Sequence, residues 1–165
     1  MEINIRRAEQ KDLAVIVAIY NQAIATKIST AETIPVSVKE KQEWFDEHTD
    51  EKYPLLVAEY NHNVIGWISI SAYRKGRQGL QHTAEVSYYI HNNYLQKGIG
   101  SLLMETIILK AKELGYKNLI AIIIDANTAS IKLLKKFRFE QWGLMPGIIE
   151  IENKVYDHGY YGRKI

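Results

Sequence analysis

Apolar residues change their spacing along the chain, and each change marks an element. Ile3 and Ile5 alternate with polar neighbours, the two-residue period of a half-buried strand. From about Lys11 to Ala25, the residues Leu13, Ile16, Val17, Tyr20 and Ile24 fall at helical steps and make one apolar face. Ser37 and Glu40 have capping-box spacing and predict a second helix running to about His48, anchored by Trp44 and Phe45. Leu55 to Tyr60 and Val64 to Ile70 are β-rich runs around the polar turn Asn61-His62-Asn63, which predicts a hairpin. Ala84 to Ile90 reads as a further strand. Ile99, Leu102, Leu103, Ile107, Ala111 and Leu114 return to helical steps, and Gly115 stands where a C-terminal cap belongs. Leu119 to Ile124 reads as a buried strand and Ser130 to Lys136 as a helix. Two late strands are predicted near Glu140 to Leu144 and Lys154 to Tyr161. The order β, α, α, β, β, β, α, β, α, β, β describes a mixed α/β domain around one sheet.

Composition narrows the function classes. The 165 residues suit one domain spanning 1–165, and 47% apolar content supplies its core. Twenty-one basic against 19 acidic side chains leave a net charge of +2, too balanced for a nucleic-acid footprint. The chain has no cysteine, which removes disulfides, thiolate metal sites and a cysteine nucleophile. Met1-Glu2-Ile3-Asn4-Ile5-Arg6 carries no apolar signal region, and the run Leu119 to Ile124 is too short to span a bilayer. The expectation is a cytoplasmic protein that engages neither membrane nor nucleic acid. Histidines at 48, 62, 82, 91 and 158 form no His-x-x-x-His pair, and no carboxylate-rich calcium loop appears, so no metal is expected.

The most informative stretch is Tyr88-Tyr89-Ile90-His91-Asn92-Asn93-Tyr94-Leu95-Gln96-Lys97-Gly98-Ile99-Gly100-Ser101. A strand ends, a polar turn follows, and a long helix begins at the glycines. The first amides of a helix lack intrahelical partners and the helix dipole adds partial positive charge there, which suits a phosphate. Glycine at 98 and 100 removes Cβ atoms that would block close approach. Lys97 adds a mobile charge. The P-loop pattern Gly-x-x-x-x-Gly-Lys-Ser/Thr is absent. The dinucleotide fingerprint fails as well, because position 103 is Leu103 and not glycine.

These residues resemble the GNAT acetyltransferase superfamily, whose pyrophosphate loop is written Gln/Arg-x-x-Gly-x-Gly/Ala. Lys97-Gly98-Ile99-Gly100-Ser101 supplies the second half of that loop, and Asp125-Ala126-Asn127-Thr128-Ala129-Ser130 is similar to the family's asparagine segment after the next strand. Tyr53-Pro54-Leu55-Leu56-Val57-Ala58-Glu59 and Thr83-Ala84-Glu85-Val86-Ser87-Tyr88-Tyr89-Ile90 bring the resemblance closest to the phosphinothricin-type and methionine-sulfone-type N-acetyltransferases. Three positions depart from the pattern. Leu95 stands where Gln or Arg is usual, Leu134 where many members carry a Tyr or His general acid, and Arg138 where glycine precedes Phe139.

The resemblance implies a GNAT-like fold, with one mostly antiparallel sheet, a splayed central strand pair and flanking helices. It implies acetyl-CoA as co-substrate, a small amino-acid-like amine as acceptor, and a homodimer. Carried over residue by residue, Glu85 becomes the base. Tyr88, Tyr89, Ile90, Gln96, Lys97, Gly98, Ile99, Gly100, Ser101, Asn127 and Ser130 become cofactor contacts. Ser130 is also a candidate cap for its helix. Lys75 and Arg77, with Glu85 and Tyr88, become acceptor contacts, since the branch has a basic segment there that meets a carboxylate. With Leu134 in the acid's place, Tyr88, Tyr89 or solvent is left to reprotonate the thiolate, and only one of the two tyrosines can face the site. Two other readings stay open at this point: transfer to a protein N-terminus or lysine, and an acyl-CoA-binding sensor without turnover.

Overall fold

The computed structural model describes residues 2–165. Its elements follow the predicted order: β1 (Asn4–Arg7), α1 (Leu13–Ala25), α2 (Val38–Asp46), β2 (Leu55–Tyr60), β3 (Asn63–Ala72), β4 (Thr83–Ile90), α3 (Ile99–Glu113), β5 (Asn118–Ile124), α4 (Thr128–Lys136), β6 (Glu140–Ile151) and β7 (Lys154–Lys164). The seven strands form one sheet in the order β1-β2-β3-β4-β5-β7-β6. Every pairing is antiparallel except β4 with β5. No helix among the described residues is long and apolar enough to cross a membrane.

Local chemistry explains most boundaries. Ser37 Oγ accepts from the Glu40 N–H at 3.3 Å while the Glu40 carboxylate accepts from the Ser37 N–H at 2.7 Å, so the capping box starts α2. Asn21 holds the approach to that helix, donating to the Val36 carbonyl and accepting from its N–H, both at 2.9 Å. Asn61 and His62 both take positive φ, the conformation a tight β2–β3 hairpin demands.

Each face of the sheet carries its own core. On one face, Leu103, Met104, Ile107 and Ala111 of α3 pack fully buried against Ile68, Ile70 and Ala84. On the other, Ile16, Ile19, Tyr20 and Ile24 of α1 cover Leu55, Val57 and Trp67. A register shift opposite Ala58 and Glu59 leaves Ile65 without a cross-strand partner. Such a bulge reverses side-chain alternation. Ile65 and Trp67, two residues apart, accordingly fall into opposite cores.

The late strands run longer than their apolar pattern predicts. Strand β6 continues through Pro146 and Gly147, which the hairpin absorbs in a bulge between the pairs Met145↔His158 and Ile149↔Tyr156. The Gly147 N–H donates to Asp157 Oδ1 at 2.8 Å, which satisfies part of the displaced backbone.

The β4–β5 pairing positions the site. It is parallel and covers only Thr83↔Asn118, Ala84↔Leu119 and Glu85↔Ile120. Beyond Glu85, β4 stays with β3 as far as Ile90↔Gly66, while β5 stays with β7 as far as Ile124↔His158. The two strands part, and a wedge opens between them.

Arg138, where the family pattern has glycine, follows α4 with φ +60°. An L-residue in this left-handed region is strained by roughly 1–2 kcal/mol, and glycine is not. Arg138 also sits close enough to Arg163 to oppose its charge. Arg138→Gly is expected to raise stability by about 1 kcal/mol, since the relieved strain exceeds glycine's entropy cost. A urea unfolding midpoint that stays the same or falls would contradict this account.

Candidate active site

Two recesses flank β4 where it leaves β5. The first is a groove of about 440 Å³. Val86 to Ile90 form one wall, Ile122 and Ile123 the other, and the segment from Leu95 to Ser101 closes one end, with Asn127, Ser130 and Leu133 alongside. Among the described residues, the N–H groups of Lys97, Gly98, Ile99 and Gly100 have no protein acceptor. They stand at the start of the 15-residue α3, where the helix dipole favours an anion. Gly98 takes φ +83°, which an L side chain rarely adopts. A Cβ on Gly100 would lie 3.0 Å from Leu133 Cδ2, so α3 and α4 approach closely at this end.

Lys97 does not line the groove. Its ammonium donates to the Asn93 carbonyl at 2.9 Å and lies 4.9 Å from the Tyr94 ring centroid. The cation held against the loop is instead Lys136 of α4, whose Nζ donates to Ser101 Oγ at 2.9 Å. Sequence reasoning missed Lys136 because it lies 35 residues from Ser101 and looks like any lysine in a last helical turn.

The second recess is a cavity of about 210 Å³. Helix α1 lends Ile16, Val17 and Tyr20; α2 lends Lys41 and Trp44; β3 lends Trp67, Ser69 and Ser71; β4 lends Glu85, Ser87 and Tyr89. Strand alternation makes this selection, sending Glu85, Ser87 and Tyr89 toward α1 and Ala84 and Val86 into the α3 core. The walls are aromatic: Tyr89 meets Tyr20 edge-on with centroids 5.0 Å apart and Trp67 at 4.9 Å, and Trp67 meets Trp44 at 5.4 Å. Ser87 and Tyr89 line both recesses, so cavity and groove meet at the backbone of β4.

Glu85 is the cavity's one carboxylate and has no hydrogen-bond partner among the described residues. Burial pushes its carboxyl above the usual range. The Tyr88 phenol is pushed up to about 12, chiefly by burial, and donates to the Ser130 carbonyl at 3.4 Å. Burial also raises the Tyr89 phenol.

The structure brings together most of the predicted residues and sets others apart. Glu85 and Tyr89 share the cavity; Tyr88, Tyr89, Ile90, Gln96, Gly98, Ile99, Gly100, Ser101, Asn127 and Ser130 share the groove. Tyr88 lines only the groove, on the opposite face of β4 from Glu85, and does not reach the cavity. Lys75 and Arg77 lie exposed between β3 and β4 and line neither recess; Lys75 is paired with Glu47 of the loop after α2. Lys41 is the cation in the cavity, and on a polar helix face it reads from sequence as a solvated charge. Asn127 caps α4, accepting from the Ser130 N–H at 3.1 Å, so Ser130 is not the cap. Leu134 is fully buried in the α3 core, and the neighbouring Leu133 lines the groove. Leu95 lines the groove and is half exposed. Among the described residues no three His, Asp or Glu side chains gather as metal ligands.

A family model described as an acetyltransferase (GNAT) domain matches residues 5–159. The chain belongs to the GNAT acetyltransferases. It is 43% identical over 164 residues to YwnH of Bacillus subtilis (strain 168), provisionally named a phosphinothricin acetyltransferase, with 99% of each chain covered. It is 34% identical to the L-methionine sulfoximine/L-methionine sulfone acetyltransferase of Pseudomonas aeruginosa, over 90% of this chain and 86% of that one. Among solved structures it matches a GNAT superfamily phosphinothricin acetyltransferase from Sinorhizobium meliloti in complex with acetyl-CoA, with a TM-score of 0.94 and 30% identity. That match covers 100% of this chain and 89% of the other.

In this GNAT enzyme the raised carboxyl of Glu85 has a consequence for folding. Below the ordinary glutamate value of about 4.3, Glu85 is protonated in both folded and unfolded chains and its burial carries no charge penalty. As pH rises from there to the raised folded value, the unfolded chain ionises first and the native state loses stability; above the folded value the loss is complete. Glu85→Gln has no such charge. Its melting temperature is expected to match the parent's below about pH 4 and to exceed it as pH rises from there through the raised folded value. Parallel curves across that range would disprove the assignment of the shift.

Proposed function

We propose that the enzyme transfers the acetyl group of acetyl-CoA to the primary amine of a small amino-acid-like acceptor, with Glu85 as the base. The observation that carries this reading is a single half-buried carboxylate in a small aromatic cavity that meets, at β4, a groove ending on the free amides of a helix start. The cavity's 210 Å³ lies below the roughly 300–1,000 Å³ of sites for drug-sized ligands and suits a compact molecule. The activities for which the relatives are named point to phosphinothricin, methionine sulfone and methionine sulfoximine as acceptors to test.

The residues fit acetyl-CoA. Unpartnered amides at Lys97 to Gly100 suit a pyrophosphate, the Lys136 ammonium stands behind the groove-lining Ser101, and glycine at 98 and 100 keeps side-chain atoms out of its way. The parted edge of β4 offers backbone groups to the pantetheine amides and to the thioester oxygen.

The acceptor enters as an ammonium ion and must lose a proton before it attacks. A carboxylate whose pKa is raised by burial is a stronger base than an exposed one, which suits that task. Glu85 takes the proton, directly or through one water. The amine nitrogen then forms its bond to the thioester carbon, the carbon–sulfur bond breaks, and the thiolate leaves with the electron pair. Glu85 passes its proton to solvent, the second amine proton leaves to the freed carboxylate or to solvent, and the product is a neutral amide. Reprotonation of the thiolate falls to solvent. Leu134 offers no proton, and a Tyr88 phenol near 12 loses its proton to a thiolate of about 8.5 only uphill, so its role is a hydrogen bond.

Glu85→Gln is expected to bind acetyl-CoA with unchanged affinity and to lose roughly 10²–10⁴-fold in kcat. Thiol release measured with the three acceptors reads this directly. The parent's kcat/KM is expected to rise with pH through the raised Glu85 value, and the variant to lack that limb. A variant that keeps the parent's kcat and pH profile would remove Glu85 from the role. No release by the parent with any of the three would remove the acceptor class.

A further inference from the structure

The cavity contains an amine of the protein's own. Lys41 of α2 is half-buried at its wall, and no other lysine lines either recess. Most lysine heads that touch the protein elsewhere have a polar partner: Lys27, Lys75 and Lys110 sit in ion pairs, and Lys97 and Lys136 donate to protein oxygens. Among the described residues the Lys41 ammonium makes no ion pair and no hydrogen bond. The neighbouring Glu40 is occupied by Ser37, through the backbone N–H at 2.7 Å and the hydroxyl at 2.6 Å. What holds the Lys41 head is aromatic, with Nζ 4.8 Å from the Tyr20 ring centroid and 5.7 Å from that of Trp44. Such contacts hold a cation by roughly 0.5–2 kcal/mol each and leave its N–H groups free. Four methylenes of stem then let the head swing off the rings and into the cavity at small cost.

The swing ends close to β4. Tyr20, under the Lys41 head, meets Tyr89 with centroids 5.0 Å apart, and Tyr89 lines both recesses. In a cavity of about 210 Å³ no lining group is far from another, and Glu85 lines the same one. With acetyl-CoA in the groove, amine, base and thioester come to one place without any free acceptor. We infer that the enzyme acetylates its own Lys41 when acetyl-CoA is bound and the cavity is otherwise empty. The inference rests on the cavity being the acceptor site. Glu85 takes a proton from the Lys41 ammonium, and Nζ forms its bond to the thioester carbon. The carbon–sulfur bond breaks, and the thiolate leaves with the electron pair and takes a proton from solvent. Glu85 passes its proton to solvent, the second amine proton follows, and Lys41 ends as a neutral acetamide. A side chain tethered at the site stands at an effective concentration on the order of millimolar. Free acceptor above that level displaces it, so the modification marks enzyme that has met acetyl-CoA but no acceptor.

The test is a peptide map. The full chain is incubated with acetyl-CoA alone, digested, and read by mass spectrometry for acetyl at every lysine. Lys41 is expected to gain acetyl at least roughly tenfold faster than any lysine outside the recesses, which report uncatalysed acylation. Transfer within one chain makes that rate independent of enzyme concentration, so an about tenfold dilution at fixed acetyl-CoA leaves it unchanged. Glu85→Gln is expected to slow it roughly 10²–10⁴-fold, the loss of a general base, without slowing acylation at the other lysines. An acceptor that supports thiol release is expected to suppress it when saturating.

Acetyl at Lys41 that appears no faster than elsewhere, that appears equally fast in Glu85→Gln, or that scales with enzyme concentration overturns the inference. So does an acceptor that is turned over without protecting Lys41. A Glu85→Gln chain that fails to fold would show itself as lost acetyl-CoA binding, and protection and dilution of the parent then decide. Thiol release with the three acceptors is followed in parallel. Release with Lys41 unmodified in the absence of acceptor leaves the transfer reading standing and removes self-acetylation. Fast, concentration-independent acetylation of Lys41 with no release from any acceptor leaves self-acetylation standing and removes the acceptor class. Neither signal removes both.

Discussion

The structure depends on one short pairing. Strands β4 and β5 are parallel neighbours for three residue pairs and then separate, each held by its antiparallel partner on the outer side. A sheet that stayed paired here would satisfy the backbone of β4 internally and leave no room for a ligand. Parting removes the ladder from one edge of Val86 to Ile90, and backbone groups on such an edge need partners. The groove lies where that edge is exposed. The start of α3 is at its mouth because the chain leaving Ile90 turns through His91 to Gln96 before the helix begins. The same wedge admits α4, whose Ser130 carbonyl meets Tyr88 and whose Leu133 lines the groove.

The two-residue period of β4 then sorts the chemistry by face. Tyr88 and Tyr89 are neighbours in sequence, yet one points to α4 and the other into the aromatic cavity against Tyr20 and Trp67. Glu85 falls on the cavity side with no arginine or lysine paired to it, and burial alone raises its carboxyl. Compare Asp12, where burial also pushes the carboxyl up, but hydrogen bonds from Arg6 and the Glu9 N–H outweigh it and leave the group below its usual value. The contrast shows what the fold does when a carboxylate is structural: it supplies a guanidinium. At Glu85 it withholds one, and burial with no partner leaves a carboxylate that holds a proton more readily than an exposed one.

What was legible in the sequence had a local cause. The capping box at Ser37, the turn at Asn61-His62 and the glycines before α3 act within a few residues, and their elements appear where the pattern puts them. Glu85 was legible because a strand's alternation fixes which residues share a face. Contacts that depend on elements far apart in the chain were not. Lys41 and Lys136 read as solvated helix charges, and only the packing of α2 on α1 and of α4 on α3 gives them a site. The bulge at Pro146 and Gly147 was hidden for a different reason: the residues that usually end a strand were accommodated by an acceptor ten residues away, Asp157.

The two recesses are made of different material, and this explains which departures from the family pattern matter. The groove is built largely of backbone: free amides at the start of α3, the open edge of β4, a glycine at positive φ. Backbone geometry is set by the fold, so a leucine at 95 changes a side chain beside the site without removing the groups that form it. Leu134 sits in the core, where an apolar residue is favoured, so that departure costs the fold nothing. The cavity is built of side chains, from two tryptophans, two tyrosines, three serines, an isoleucine, a valine, one lysine and one glutamate. Each can be exchanged without disturbing the sheet's hydrogen bonds. On the proposed assignment of the cavity to the acceptor, discrimination among acceptors resides there, and changes in specificity arise there while the groove keeps its form.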